Sequence, residues 1–280
     1  MRKASLIVPI IATILLSFMP CPAHSQGTAG IPFTMNSQRS QAASIDVPFA
    51  VNPPQIDGRK DDPAWGTAAE INLRINNGPY AGKTPLWSTS VLLMWDYTNL
   101  YVLFTCYDRN ILNAQQDQID PSTAGDVSHE DEVQMVASPS GNMLQYYLFT
   151  FDPNGQALES ILRGMGGREQ IDRTWSPGLR HNAKVRRIQT PTGFMDRSWT
   201  VEAAIPWSAM GSTTPRVGSS IPVNFHRVDN SATDHYSAWC PMFQAPPYSQ
   251  RIFGTLRLKA PKYRRVNPNP LPQFGTDDTP

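Results

Sequence analysis

Apolar and polar positions alternate with a period of two along most of the chain, the mark of strands that bury one face. Ser90 to Asp96 predicts one strand. The turn formers Asp96-Tyr97-Thr98-Asn99 then lead into a second over Leu100 to Tyr107, so the two predict a hairpin. Glu132 to Ala137 alternates with Val133, Met135 and Ala137 on one face, and Ser138-Pro139-Ser140-Gly141-Asn142 turns the chain. Leu144 to Phe151 follows and is closed by Asp152-Pro153-Asn154-Gly155, whose Asn-Gly supplies the positive φ of a tight turn. Trp199 to Ile205, Ile221 to Val228 and Gly254 to Leu258 complete the set. Only Ala64 to Ala69 and Pro206 to Met210 read as short helices. Many short strands joined by Gly, Pro, Asn and Asp turns predict an all-β fold, an antiparallel two-sheet β-sandwich of jelly-roll-like or immunoglobulin-like kind.

The ends of the chain break this pattern. Arg2 and Lys3, an apolar run from Leu6 to Phe18, and the small-x-small string Ala23-His24-Ser25 predict a signal peptide over 1–25. The mature protein is then exported to the periplasm or the medium, and no other stretch is apolar enough to span a membrane. Residues 26–45 read as a flexible leader, 46–260 as the folded domain, and 261–280 as a disordered Pro- and Asn-rich tail. With 24 basic against 23 acidic residues, the chain has no counterion-release drive toward nucleic acid. Of the three cysteines, Cys106 and Cys240 survive processing. They either pair in an oxidising compartment or stay as two buried thiols.

Six strings in order resemble family 9 carbohydrate-binding modules. They are Ile56-Asp57-Gly58 leading to Asp61-Asp62-Pro63-Ala64-Trp65; Leu93-Met94-Trp95-Asp96 with Asn99-Leu100-Tyr101-Val102; Glu130-Asp131-Glu132-Val133-Gln134; Phe151-Asp152-Pro153-Asn154-Gly155; Trp199 to Trp207; and Val223-Asn224-Phe225-His226-Arg227 with Ile252-Phe253-Gly254-Thr255-Leu256 closing. The resemblance implies a sandwich that binds sugars in a groove, calcium in some members, no catalysis, and attachment to or service of glycoside hydrolases. It also implies a poly- or oligosaccharide partner. Members grip sugar between two tryptophans, which fall here near Ser128 and near Pro247 or Tyr248, so that clamp is degraded or rebuilt. A sugar-binding Arg of the family falls on Phe149 and its partner Glu on Gln134.

Sugar recognition needs an aromatic face and planar polar groups. The candidates are Trp175 in a turn-rich loop, Trp239 and Tyr248 flanking a Pro-rich loop, and Arg227 and His226 at a strand end, of which only one can face the site. Trp65, Trp95, Trp199 and Trp207 read as core. Glu130 and Asp131 are candidate Ca2+ ligands within an acidic cluster, whose alternative is a solvated loop. Asp131 and Glu132 point to opposite faces of a strand, so they are not an acid–base pair, and no phosphate loop or nucleophile elbow is present. Two further readings belong to other classes. One is a haem-binding sandwich of an electron-transfer system with Met135 and His226 as axial ligands; the other is an envelope protein-interaction domain.

Overall fold

The computed structural model describes residues 43–76, 80–109, 111, 131–141, 144–164, 170–191, 193–211, 215–229, 236–240 and 253–261. Its elements fall in the compact unit Arg39–Pro280. The expected signal segment, most of the expected leader and nearly all of the expected tail lie outside the described residues, as do Tyr248 and Glu130.

Fourteen strands are described: β1 (Ser44–Val47), β2 (Ala69–Asn72), β3 (Arg74–Ile75), β4 (Thr89–Trp95), β5 (Asn99–Tyr107), β6 (Glu132–Ala137), β7 (Gln145–Phe151), β8 (Ala157–Arg163), β9 (Gln170–Asp172), β10 (Arg180–Thr190), β11 (Gly193–Pro206), β12 (Ser220–Val228), β13 (Tyr236–Ala238) and β14 (Gly254–Leu258). They form two sheets. One runs β1-β14-β12-β6-β7-β8-β9, with β13 and β3 continuing from β12, and the other runs β10-β11-β5-β4-β2. All pairs of named strands are antiparallel except β1 with β14, which is parallel. Those two strands come from opposite ends of the domain, so their parallel pairing needs no local crossover. The two expected helices are single 3-10 turns, Pro63–Thr67 and Trp207–Met210.

Alternation fixes which side chains meet. The register Phe225↔Met135↔Phe149 places three large apolar residues side by side on the inward face of the nine-stranded sheet. Phe225 meets Phe104 of the opposite sheet edge-on at 5.9 Å. All four are fully buried, and burying each stabilises the fold by about 1.5–3 kcal/mol. Trp65, Trp95, Trp199 and Trp207 are buried as their spacing predicts. The β4–β5 turn is held by Asp96, whose Oδ1 accepts from the Thr98 and Asn99 amides at 2.7 Å each while Oδ2 accepts from the Tyr101 hydroxyl at 2.7 Å. Gly155 closes the β7–β8 turn at φ 83°, a value an L side chain rarely adopts.

Candidate functional site

The outward face of the nine-stranded sheet carries a row that does not look like a solvent face. His226 on β12 pairs with Gln134 on β6, and Gln134 pairs with Thr150 on β7. The neighbours of these three along each strand, Phe225, Met135 and Phe149, point into the core, so alternation sends the row outward. The three are nevertheless only 5%, 1% and 2% exposed. His226 Nε2 and Thr150 Oγ1 are buried with no hydrogen-bond partner. Between them, Gln134 Nε2 donates to Glu132 Oε1 at 2.8 Å. Burial pushes the His226 imidazole down to about 4, so it is neutral at physiological pH and offers one donor and one acceptor nitrogen.

The surroundings set the limits of this row. Beside it, Asn224 is fully engaged: its Nδ2 donates to the Cys240 carbonyl at 3.1 Å and its Oδ1 accepts from the Cys240 amide at 3.0 Å. In register with Asn224 lie Val136 and Leu148, which form an apolar cluster with Tyr146 and Leu162, against which Phe253 packs. A neutral polar row next to an apolar floor suits a ligand with hydroxyls on its rim and C–H groups on its face. Each orphaned buried polar atom costs about 1–3 kcal/mol unless a partner arrives.

Arg227 faces the opposite way. It is 1% exposed and enters the interior, where its guanidinium donates to Asp108 Oδ2 at 2.7 Å, the Tyr107 carbonyl at 2.8 Å and Thr89 Oγ1 at 3.2 Å, and pairs with Asp229 at 3.0 Å. Arg227 therefore ties β12 of one sheet to β4 and β5 of the other and does not line an outer groove. Asp108, Asp131 and Asp229 bring carboxylate oxygens within 4.8 Å of one another around it, and all three are buried. Asp131, one of the two acidic candidates named from the sequence, thus stands beside Asp108 and Asp229.

The two tryptophans named as candidates for stacking on sugar, Trp175 and Trp239, also point inward. Trp175 lies on the segment that passes from β9 at one sheet's edge to β10 at the other's, and packs against Tyr147 at 5.3 Å and Phe149 at 5.8 Å. Trp239 packs on Phe225 at 6.1 Å and over Gly254. Both are half-buried plugs of the sandwich, because the core rows end there and a large ring fills the opening. Phe149 likewise faces the core, so the position that its strand offers to the outer face is Thr150. Met135 and His226 lie on opposite faces of one sheet and do not ligate a common haem. Cys106 and Cys240 are free buried thiols, the first pushed up to about 12 and the second to about 11 by burial.

A cavity of about 910 Å³ lies elsewhere, bordered by Pro48, Phe49, Pro53, Pro63 and Met94. Its carboxylates are already engaged: Asp46 with Arg257 and Lys259, Asp62 with the Gln55 and Ala64 amides. The polar row therefore has the stronger unmet demand for a ligand. Sequence reasoning reached His226 and Gln134 but not Thr150, which has the look of an ordinary strand threonine until its register partner is known.

No family model matches the chain, and no curated protein matches it. Solved structures do. A protein of Bacteroides uniformis ATCC 8492 described as a candidate carbohydrate-binding protein is 18% identical, with a TM-score of 0.54 over 78% of this chain and 99% of that one. A family 9 carbohydrate-binding module of Caldicellulosiruptor kristjanssonii in complex with glucose is 19% identical, with a TM-score of 0.50 over 80% of this chain and all (100%) of that one. The same module with cellotriose gives 17%, 0.50, 81% and 100%. The chain has the fold of these modules, as the ordered strings lead one to expect. Among the described residues no helix is long and apolar enough to cross a membrane.

Proposed function

We propose that this is an exported, non-catalytic carbohydrate-binding protein, accessory to polysaccharide breakdown, that takes neutral saccharide on the outward face of its nine-stranded sheet. One observation carries the reading: His226 Nε2 and Thr150 Oγ1 are buried in a single cross-strand row without partners. Sugar hydroxyls both donate and accept, so they supply what these atoms lack. The neighbouring modules that hold glucose and cellotriose support this choice of ligand. The row is 1–5% exposed, which predicts slow association and modest affinity. Titration calorimetry with glucose and cellotriose tests the reading. Thr150→Val and His226→Ala should each weaken binding about five- to a hundredfold, as expected for a lost hydrogen bond of 1–3 kcal/mol. Unchanged affinity in both variants, with folding intact, removes the row from the site.

Calcium belongs to the same reading. Oxygens within 4.8 Å of one another can share one ion, since calcium–oxygen distances run about 2.3–2.6 Å. Three buried carboxylates offer the hard oxygen ligands that calcium takes. Asp108, Asp131 and Asp229 would hold it, and its effect would be to stiffen the junction between the sheets. Calcium at a hundredfold excess over its dissociation constant should stabilise the fold by about 2.7 kcal/mol. That raises Tm by roughly 5–10 °C for a domain of this size. A melting curve indifferent to calcium and to chelator would rule this out.

A further inference from the structure

The cavity of about 910 Å³ lies at the edge of the sandwich, where β1 ends one sheet and β2 the other. Residues of segment 48–53, residues of the 3-10 turn Pro63–Thr67, and Met94 of β4 line it. Each of these pieces is tied to the sheets separately. The Trp95 amide donates to the Pro48 carbonyl at 3.1 Å, and the Ala50 amide donates to the Trp95 carbonyl at 2.7 Å. The turn is held through Trp65, whose Nε1 donates to Glu202 at 2.8 Å. The Gln55 amide donates to Asp62 at 2.9 Å and joins the segment to the turn at one point. Pro48, Pro53 and Pro63 add fixed φ angles and bring no N–H that needs a partner. The opening is therefore built into the backbone and exists before any ligand arrives.

The polar groups of the cavity are spent on one another. Asp46 is shared by Arg257 and Lys259, Asp62 accepts from two amides, and Thr67 Oγ1 donates to the Ala64 carbonyl at 3.3 Å. Among the described lining residues, Asn52 alone keeps a planar polar side chain clear of such bonds, and it is exposed. A sugar would strand most of its hydroxyls here. An anion would have to take Lys259 from Asp46, and a cation would have to take Asp46 from Lys259 and Arg257. What remains to meet a ligand is apolar: Met94, Phe49, the three prolines, and Val51, which is left 59% exposed. The Phe49 ring is fixed at 5.1 Å from Trp95 and 5.0 Å from Tyr97. Ring edges and a thioether pack favourably on an aromatic face. We propose that this cavity binds a neutral aromatic small molecule. Its volume falls within the range of roughly 300–1,000 Å³ that holds ligands of drug size. The site shares no residue with the His226 row and does not depend on the saccharide reading.

N-phenyl-1-naphthylamine tests it, a neutral aromatic probe whose emission rises and shifts to the blue when it leaves water. Titrated into the whole protein, its emission should saturate at one probe per chain. The sulfonated analogue 1-anilinonaphthalene-8-sulfonate should bind about tenfold more weakly or worse, because its charge finds no free partner. The aliphatic 1-dodecanol should displace the probe poorly, and cellotriose should not displace it at all. Ala68→Trp fills the cavity with an indole and should weaken probe binding about tenfold or more. Val51→Asn should weaken it about threefold by removing apolar contact. Val51 is exposed, so that variant melts as the parent does and keeps the test decisive even where Ala68→Trp fails to fold. Thr150→Val should leave the titration unchanged. Emission that does not saturate overturns the proposal. So does binding that Ala68→Trp, folded, and Val51→Asn both leave intact, and so does a sulfonate or alkanol that binds as tightly as the neutral probe. Displacement by cellotriose would place sugar in this cavity and overturn it as well.

Discussion

Glu202 should be among the most sensitive positions outside the core. Its neighbours Val201 and Ala203 point inward, so it emerges on the outer face of β11, yet it is fully buried. Oε2 accepts from the Asp57 amide at 2.8 Å and the Gly58 amide at 2.9 Å, and Oε1 accepts from Trp65 Nε1 at 2.8 Å. One carboxylate thus pins the Ile-Asp-Gly turn and the following 3-10 turn onto the five-stranded sheet. Gly58 sits at φ 80°, and a Cβ there would meet Lys184 Cγ at 3.0 Å and the Ala183 backbone at 3.1 Å, so the turn lies close on β10. Glu202→Ala strands two fully buried donors, the Gly58 amide and Trp65 Nε1, while water can reach the part-buried Asp57 amide. At about 1–3 kcal/mol per orphan, the loss should be roughly 3–5 kcal/mol. Urea unfolding followed by tryptophan fluorescence measures it, and a double-mutant cycle with Trp65→Phe should return a coupling of about 1–2 kcal/mol. Burial raises the Glu202 carboxyl above its usual value. The native state then holds its proton to higher pH than the unfolded chain does. Its contribution is greatest below the unfolded value, near 4.5, and declines as pH rises through the folded one. The stability advantage of the parent over Glu202→Gln should therefore shrink from pH 4.5 upward. A Glu202→Ala variant within 1 kcal/mol of the parent, or zero coupling to Trp65, would refute the account.

The other predictions concern the interior and the polar row. Gly254→Ala drives a Cβ into the Trp239 ring, so it should cost about 1–3 kcal/mol by overpacking; an unchanged urea midpoint would show that Trp239 moves freely. Arg227→Met removes the cation from the buried carboxylates of Asp108 and Asp229 and should cost about 3–5 kcal/mol, measured the same way; a loss under 1 kcal/mol would mean that it does not join the sheets. His226 is held neutral, with its value pushed down to about 4, so between pH 6.5 and 4 the unfolded chain binds a proton that the native state refuses. Stability should fall across that window as pH drops, and His226→Asn should flatten the slope by the share of one proton; parallel slopes would contradict the burial of the ring.

The fold was legible because each core strand repeats the same statement. Val133-Met135-Ala137, Trp199-Val201-Ala203-Ile205 and Ile221-Val223-Phe225 all alternate, and a sandwich is the arrangement that buries every such face at once. β10 was not legible. Its sequence Arg-His-Asn-Ala-Lys-Val-Arg-Arg-Ile-Gln-Thr has no strong apolar face, because an edge strand of a twisted sheet covers little core. The site was half legible for a related reason. Parity says that His226 and Arg227 face apart but not which of them faces out; that depends on whether Phe225 or Asn224 meets the core, and the aromatic wins. Loop tryptophans misled because exposure was inferred from the turn residues around Trp175, whereas the open edge between β9 and β10 needs a large ring to close it.

The two outer faces differ in one physical quantity that separates their chemistry. The His226–Gln134–Thr150 row presents a neutral imidazole, an amide and a hydroxyl, so hydrogen bonds formed there depend little on ionic strength. The Lys184 and Arg186 face presents exposed charge, which salt screens over about 10 Å at 0.1 M. A saccharide held only by the row should bind equally at about 50 and at roughly 500 mM salt. Because a sandwich stacks its sheets about 10 Å apart with the core between them, neither face transmits its occupancy to the other through a shared side chain unless the Arg227 junction yields.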